Sequence, residues 1–292
     1  MNNTINHTTC KKCKLCTEVC PCNILGLNER QEIYFIPERE SICVECGQCM
    51  AVCKTKSIQV NDYSYTRNFF DLPANTIKYE ELLDFLATRR SVRNFKDKPV
   101  SKEMIQKIID SVAFAPYGSA PNEVHITIVN NKKTIESTLP FISEFYDGLV
   151  NWIDNPFIRL MIKMKNDAET FNTINHHIYP IAKLGNYRLE NGNRITRNAP
   201  ALLIFHADKR VEEHTNNSLI YATYVMLAAH SLGLGATMIE LVPAAINKVK
   251  AVKEIFHIPE SHEAVISVIL GYPKIKYKRA IKREKKNVLW ID

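Results

Sequence analysis

Two short segments, CKKCKLCTEVCP at residues 10–21 and CVECGQCMAVCK at residues 43–54, decide the fold of the first part of this chain. Their cysteines have identical offsets, so the second segment repeats the first one 33 residues later (43 − 10). The repeated cysteines are Cys10, Cys13, Cys16, Cys20, Cys43, Cys46, Cys49 and Cys53. Thiolates three positions apart can bind one iron–sulfur cluster, while a fourth, after a longer gap, reaches a neighbouring cluster. The pattern therefore predicts two [4Fe–4S] clusters.

Two other uses of cysteine fit this pattern less well. Zinc ribbons contain paired CxxC motifs, whereas these segments contain a triple motif with a fourth cysteine and no histidine. A disulfide framework forms in an oxidising compartment, but residues 1–9 are polar and contain no apolar leader core. Thiolates at cluster spacing indicate a reducing compartment, so we expect the protein to be cytoplasmic.

The two segments resemble those of bacterial two-cluster ferredoxins. The resemblance implies that Cys10, Cys13, Cys16 and Cys53 bind one cluster and that Cys43, Cys46, Cys49 and Cys20 bind the other. One departure is that Pro21 follows the first segment's last cysteine, whereas Lys54 takes this place in the second. Cys22 is a ninth cysteine outside the pattern, and we interpret it as a small packed residue.

Length and charge set the organisation of the rest. With 292 residues, the chain has room for a small module and a larger domain with its own core. We expect a ferredoxin-like domain at 1–60, a linker at 61–75 and a second domain at 76–292. Residues 274–292 contain eight Lys or Arg against two acids, but no nucleic-acid motif accompanies them. No apolar run reaches the length of a membrane span. We therefore expect neither nucleic acid nor a membrane as a partner.

The second domain contains a candidate anion site in RRSVRNF, residues 89–95. Three arginines and a serine within five residues, next to the end of a predicted helix, suit phosphate because Arg binds its oxygens bidentately. An ordinary solvated helix end is the alternative. A second predicted helix begins at Ser101 and is followed by a Pro/Gly-rich loop and a β-branched strand ending at Val129.

The order of five motifs resembles the nitroreductase family: RRSVRNF, APYGS (115–119), NAPALLIF (198–205), GLGATMIE (233–240) and ISVILGYPKIKYKR (266–279). The resemblance covers roughly residues 75–292. It implies an α+β fold in which helices surround a mainly antiparallel sheet, with FMN as cofactor and a homodimer as the assembly. The long apolar helix 218–231 would then be buried between subunits. With the front module, the chain resembles ferredoxin-fused nitroreductase-like proteins.

The same resemblance implies roles for individual residues. The FMN phosphate would be bound by the cationic segment and a basic residue near the C-terminus; the ring edge and the ring nitrogens would meet the two glycine-containing loops. The phosphate residues are Arg89, Arg90, Ser91, Arg93 and Arg283, with Arg279 as an alternative to the last. The ring residues are Pro116, Gly118, Ser119, Asn122, Gly233, Gly235 and Ala236. Ala120 and Asn122 stand where many relatives have Asn and Gln, so the ring contacts differ here.

The proposed activity follows from two cofactor types in one chain. Two clusters in front of a flavin domain indicate a path from a low-potential donor, either ferredoxin or an NAD(P)H-linked reductase, to FMN. A small-molecule acceptor, such as a nitro compound or a quinone, would then be reduced. The alternative is a non-enzymatic electron-transfer protein that docks to a redox partner. The resemblance to nitroreductases also implies that residues 140–191 form a helical lid over the flavin. His176, His177 or Tyr179 of this segment could donate a proton, and no catalytic residue is assigned.

Overall fold

The computed structural model describes residues 3–118, 121–165, 167–186 and 192–291. The chain divides into two compact units, Met1–Ile77 and Lys78–Asp292. Among the described residues, no helix combines the length and apolar character needed to cross a bilayer.

The first unit is built from short elements around a small apolar core. Its strands form two antiparallel pairs, β1 with β4 and β2 with β3. The strands are β1 (Thr4–Ile5), β2 (Leu25–Leu27), β3 (Ile33–Phe35) and β4 (Ile58–Gln59). The helices are α1 (Leu15–Glu18), α2 (Gln48–Ala51), α3 (Tyr65–Asn68) and a 3-10 helix, Pro37–Ile42. Cys16 and Cys49 are buried with the aliphatic side chains of this core.

Part of the predicted linker 61–75 belongs to this first unit. Tyr63 and Tyr65 pack with Phe69 against its core, at ring centroid distances of 6.0 and 5.3 Å from Phe69. Aromatic side chains bury large apolar areas, so this stretch covers a core that the short elements alone leave open.

The second unit is a four-stranded antiparallel sheet between two layers of helices. The strand order is β5-β6-β8-β7. Its strands are β5 (His125–Val129), β6 (Ala201–Asp208), β7 (Gly235–Ile239) and β8 (His262–Gly271). Its first helices are α4 (Tyr79–Thr88), α5 (Lys102–Asp110), α6 (Lys132–Ser137), α7 (Leu139–Asp154) and α8 (Pro156–Lys165). The later helices are α9 (Ala168–Thr173), α10 (Tyr179–Asn186), α11 (His214–Ser231), α12 (Leu241–Ile246) and α13 (Lys250–Ile255). Shorter turns are the 3-10 helices Ser111–Phe114 and Pro121–Glu123 and the π-helix Ile174–Ile178.

Strand β6 explains why both faces of the sheet are covered. Leu202 and Ile204 belong to the apolar cluster that includes α7 and α12, whereas Leu203 and Phe205 belong to the cluster that includes α5 and α11. Successive side chains of a strand point to opposite faces, so a continuous apolar run requires two apolar neighbours. The α+β fold predicted from the sequence is confirmed.

Two predicted helices differ from expectation in what they bury. Helix α11 starts at His214, and its Tyr221, Ala222 and Val225 are buried in the chain's own core rather than exposed. Helix α4 buries no residue in the single chain. In the single chain, α4 therefore exposes its apolar face, and α11 buries one face while its Leu219 stays 40% exposed.

Candidate cofactor sites

The two cysteine segments fold in the same way. A left-handed residue, Lys14 at φ 68° and Gly47 at φ 71°, precedes a four-residue helix in each segment. These helices carry the buried Cys16 and Cys49. Each turn therefore presents a cysteine on a short helix directly after a sharp reversal of the backbone.

The cysteines line two separate cavities. Four line the first cavity: Cys10, Cys13, Cys16 and Cys53. Four others line the second, together with Cys22: Cys20, Cys43, Cys46 and Cys49. Each cavity thus brings together three cysteines of one segment and the last cysteine of the other. No group of three His, Cys, Asp or Glu side chains in the described ranges can hold a single metal ion. Thiols spread around a cavity suit a polynuclear cluster better than a mononuclear site.

The thiols have the electrostatics of crowded ligands. Burial, with smaller contributions from neighbouring thiolates, raises the pKa of Cys16 to about 11 and that of Cys49 to about 12. At Cys53 burial acts in the same direction, but hydrogen bonds from the Ser57 N–H at 3.3 Å and from the Thr55 hydroxyl lower the pKa overall. Buried thiolates at this density need a positive group between them, which iron supplies.

In the second unit, RRSVRNF lies along the sheet. Ser91 forms a parallel bridge with Ala236, and the Val92 N–H donates to the Ala236 carbonyl at 3.1 Å. Phe95 bridges Pro273 in the antiparallel sense. A Cβ on Gly235 would lie 2.6 Å from Val92 Cβ, so only glycine permits this approach. The predicted phosphate segment and the glycine turn are therefore adjacent.

A cavity of about 350 Å³ opens at this junction. Of the predicted flavin residues, Arg89, Arg90, Gly233 and Ala236 line it. Further lining residues that sequence reasoning missed are Thr88, Val92, Met226, His230, Leu234, Pro273, Ile275, Lys276 and Tyr277. The Arg90 guanidinium lies 5.5 Å from the Tyr277 ring centroid. Arginines, a lysine and backbone amides around one space are the donors that a phosphate monoester requires.

His230 is a half-buried polar residue that lines the same cavity as this arginine pair. Its Nε2 lies 2.9 Å from the Thr88 hydroxyl, and its ring centroid lies 5.1 Å from that of Phe85. Burial, and then the charge of Arg89, lower the pKa of His230. The imidazole is therefore neutral beside the arginine. His230 could have been found in the sequence as a polar side chain in the last turn of the apolar helix α11.

The other residues predicted to bind FMN do not line this cavity or lie outside the described residues. Arg93 extends along its own segment, with Nη1 at 3.5 Å from the Ser91 carbonyl. The Gly118 N–H donates to Asn217 Oδ1 at 2.8 Å, near the start of α11. Pro116 is in the preceding loop, Asn122 is in the exposed 3-10 turn, and Ser119 lies outside the described residues. Arg279 and Arg283 lie on the exposed segment 274–291, from which Lys276 and Tyr277 reach the cavity.

A second group of cations lies near Arg93. Burial lowers the pKa of Arg197, and the charges of Arg194 and Arg93 lower it further. Arg93 is therefore close enough to Arg197 for the two charges to interact. Its predicted contact with phosphate stays a prediction.

The predicted lid is helical, as residues 139–186 form α7 to α10 within the described ranges. His176 and His177 lie in its π-helical turn and are exposed. The Tyr179 hydroxyl donates to Asp154 Oδ1 at 2.5 Å, so its proton is engaged inside the lid. None of these three residues is among the described residues that line the cationic cavity.

Comparison with known proteins identifies both domains. The nitroreductase family model matches residues 86–272, and a 4Fe–4S dicluster domain model matches residues 9–63. A 4-nitrobenzoate reductase of Pseudomonas putida is 28% identical over 193 residues, which are 64% of this chain and 83% of that protein. A Methanothermobacter thermautotrophicus protein named as an NADH dehydrogenase/NAD(P)H nitroreductase is 25% identical over 198 residues, which are 66% of this chain and 78% of that protein.

Solved structures share the fold. A Bacteroides fragilis nitroreductase with bound FMN superposes with a TM-score of 0.53 at 21% identity, over 73% of this chain and 98% of that one. A Desulfitobacterium hafniense nitroreductase with bound FMN gives a TM-score of 0.51 at 20% identity, over 72% and 97% of the two chains. With the family model spanning more than half of its length, this chain belongs to the nitroreductase family of oxidoreductases and carries a 4Fe–4S dicluster domain in front of the nitroreductase domain.

Proposed function

We propose that the chain is an FMN-dependent oxidoreductase that receives electrons through its own two [4Fe–4S] clusters and reduces a small-molecule acceptor, such as a nitro compound or a quinone. The observation that carries this proposal is the presence, in one chain, of two cysteine-lined cavities and a cationic cavity at the RRSVRNF junction. When bound, the clusters exchange single electrons and FMN supplies the chemistry that reduces the acceptor.

The chain's own residues would hold FMN from three sides. Arg89, Arg90 and Lys276 surround the position proposed for the phosphate, and Gly233 and Ala236 bring backbone close to it. Thr88 is the last residue of α4, and its hydroxyl is hydrogen-bonded to His230. Because His230 is neutral, this contact adds no further charge beside Arg89. We propose that Pro116, Gly118, Ser119 and Asn122 contact the flavin ring. Gly235 packs against Val92 of the RRSVRNF segment.

The proposed assembly is a homodimer. Leu82, Leu83 and Leu86 of α4 are 44, 45 and 42% exposed in the single chain, and Ile275 and Tyr277 of the C-terminal segment are also exposed. A helix whose apolar side chains are this exposed is usually covered by a partner in solution. A monomer that retains one FMN per chain would contradict the proposal.

The function is tested by anaerobic reduction of FMN in the full chain with NADH, NADPH and reduced ferredoxin in parallel. We expect reduced ferredoxin to reduce FMN fastest, and the reduced protein to turn over a nitroaromatic acceptor. A variant that lacks one cluster ligand, Cys13→Ser, should slow the ferredoxin-driven rate while leaving FMN bound. Reduction of FMN without turnover of any acceptor would favour the electron-transfer protein instead.

The phosphate site is tested by Arg89→Ala. A charge-assisted hydrogen bond contributes about 1.5–3 kcal/mol, so FMN should bind roughly ten- to a hundred-fold more weakly. Riboflavin lacks the phosphate and should bind both proteins alike. Arg210→Ala, which removes a guanidinium paired with Asp208, is the matched control and should leave FMN affinity unchanged. Equal FMN affinity in the Arg89 variant and the wild type would return RRSVRNF to a solvated helix end.

A further inference from the structure

The two cysteine-lined cavities differ in the charge around them. Lys11, Lys14 and Lys54 line the first cavity. In the repeat, the equivalent positions are Val44, Gly47 and Pro21, and all three line the second cavity. No Lys, Arg, Asp or Glu is among the described residues that line the second cavity. The same backbone frame therefore presents a cationic rim at one cavity and a neutral rim at the other.

The three lysines are available to a partner. All three are exposed, and so is the ligand candidate Cys13 between them. Lys14 Nζ donates to Gln31 Oε1 at 3.0 Å, and neither Lys11 nor Lys54 has an acid within ion-pair distance in the described part of the chain. Their charge is therefore not neutralised within the first unit.

The backbone gives no reason for a lysine at residue 14. Its φ of 68° is in the left-handed region, which costs conformational energy for any residue other than glycine. The repeat has Gly47 at the same position with φ 71°. Lys14 thus adds a cation at a site where glycine would be less strained, which indicates a role for the charge.

We propose that Lys11, Lys14 and Lys54, which we term the lysine face, bind an acidic electron-carrier protein of the ferredoxin class. This proposal rests on the proposed function, since it names the partner that supplies the electrons. Opposite charges steer such a partner to the face and orient it, and the exposed Cys13 lines the same cavity as the three lysines. Each docking delivers one electron, so the carrier leaves oxidised by one electron and two dockings supply a two-electron reduction of the acceptor.

The test measures binding rather than turnover. The probe is an acidic, low-potential 2[4Fe–4S] ferredoxin, titrated calorimetrically against the full chain with its cofactors. We expect the variant Lys11→Gln/Lys14→Gly/Lys54→Gln to bind about tenfold more weakly at about 0.01 M salt, and the difference to vanish near 1 M, where screening acts over about 3 Å. The control Lys102→Gln/Lys107→Gln/Lys209→Gln makes the same charge change at exposed sites of the second unit and should bind as the wild type.

Several outcomes would overturn the lysine face. The first is an equal ferredoxin affinity of the triple variant and the wild type. The second is a loss of ferredoxin affinity in the control as large as that in the triple variant. The third is a shifted reduction potential of the clusters in the triple variant without a change in its ferredoxin affinity. A short DNA duplex that binds with the same lysine dependence would also overturn it, since the surface would then select any polyanion. Lys14→Gly alone removes the strain of a left-handed lysine, so we expect this variant to fold and its affinity to report on the charge.

The two proposals fail in different ways. Reduced methyl viologen, a small cation, should reduce FMN equally in wild type and triple variant, because a cation does not dock on the cationic lysine face. If viologen leaves the wild-type FMN oxidised, the proposed function is wrong, while the ferredoxin affinities still decide the lysine face.

Discussion

The first unit buries Cys16 and Cys49 in a small apolar core beside two cavities, whereas the second unit fills both faces of its sheet with large apolar clusters. In the first unit, bound clusters would fill the space between the cysteines and supply most of the packing. In the second unit, β6 is buried from Ala201 to Ala207 by side chains of the chain itself. We therefore expect the first unit to depend on its clusters for folding and the second unit to need FMN only for chemistry.

The largest expected effect is that of removing iron. Chelation under anaerobic conditions should unfold the first unit, because binding of the metal is coupled to folding there, while the second unit should keep its structure. Both tryptophans, Trp152 and Trp290, are in the second unit, so their emission reports on that unit alone. Amide exchange at β2 and β3 reports on the first. Protected β2 and β3 amides without iron would remove the contrast between the units.

The second unit has its own weakness, at acidic pH. His206 is 4% exposed, with ring nitrogens 2.9 Å from the Thr127 hydroxyl and from His262 Nδ1. Burial, and then the charges of His262, His125 and Lys253, lower its pKa from 6.5 to about 4. The folded state therefore keeps His206 neutral while the unfolded chain takes up a proton. The free energy of unfolding should therefore decrease by about 3 kcal/mol as the pH falls from 6.5 towards 4.

The measurement is the free energy of unfolding of the second unit between pH 7 and 4, followed by tryptophan emission. His206→Gln should remove most of the pH dependence in this window. The exposed His176→Gln is the control and should retain it. An unchanged pH profile in His206→Gln would assign the acid sensitivity to other groups, of which His262, also of lowered pKa, is the first.

A smaller effect tests how tightly the lid packs on the second unit's core. A Cβ on Gly185 would lie 2.6 Å from Tyr146 Cγ, and Tyr146 is fixed because its hydroxyl donates to the Leu241 carbonyl at 2.9 Å. Gly185→Ala should therefore destabilise the unit by about 1–3 kcal/mol. Gly148→Ala, where a Cβ meets nothing within 4 Å in the described structure, should stabilise α7 by up to about 1 kcal/mol. Denaturant unfolding should show these opposite signs; equal values would mean a loosely packed lid.

The smallest expected effect is that of Cys22→Ser. Cys22 is half-buried and lines the second cavity, but it lies outside the repeated spacing. The variant should keep about eight irons per chain, four for each cluster, with an unchanged visible spectrum. Loss of a cluster in Cys22→Ser but not in Cys20→Ser would show that the predicted ligand set of the second cavity is wrong.

Local pattern was sufficient for much of the fold. Ser101 was predicted to begin a helix, and its side chain accepts from the Met104 N–H at the start of α5. The apolar run that begins at Ala201 is a strand buried on both faces. These features could be predicted because periodicity, caps and breakers act within one turn or one strand. The linker could not be placed in this way, because Phe69 packs on residues that are distant in sequence.

Spacing along the chain was enough to predict the two cysteine repeats, the cationic segment and the order of helices and strands. The resemblance to two-cluster ferredoxins also grouped Cys53 with the first cluster and Cys20 with the second, and the linings of the two cavities have the same grouping. That Lys276 and His230 join Arg89 follows from the tertiary structure alone. Those neighbours meet through pairings such as Ser91 with Ala236 and Phe95 with Pro273. Pairings across such separations are selected by the packing of the whole unit, which no local pattern contains.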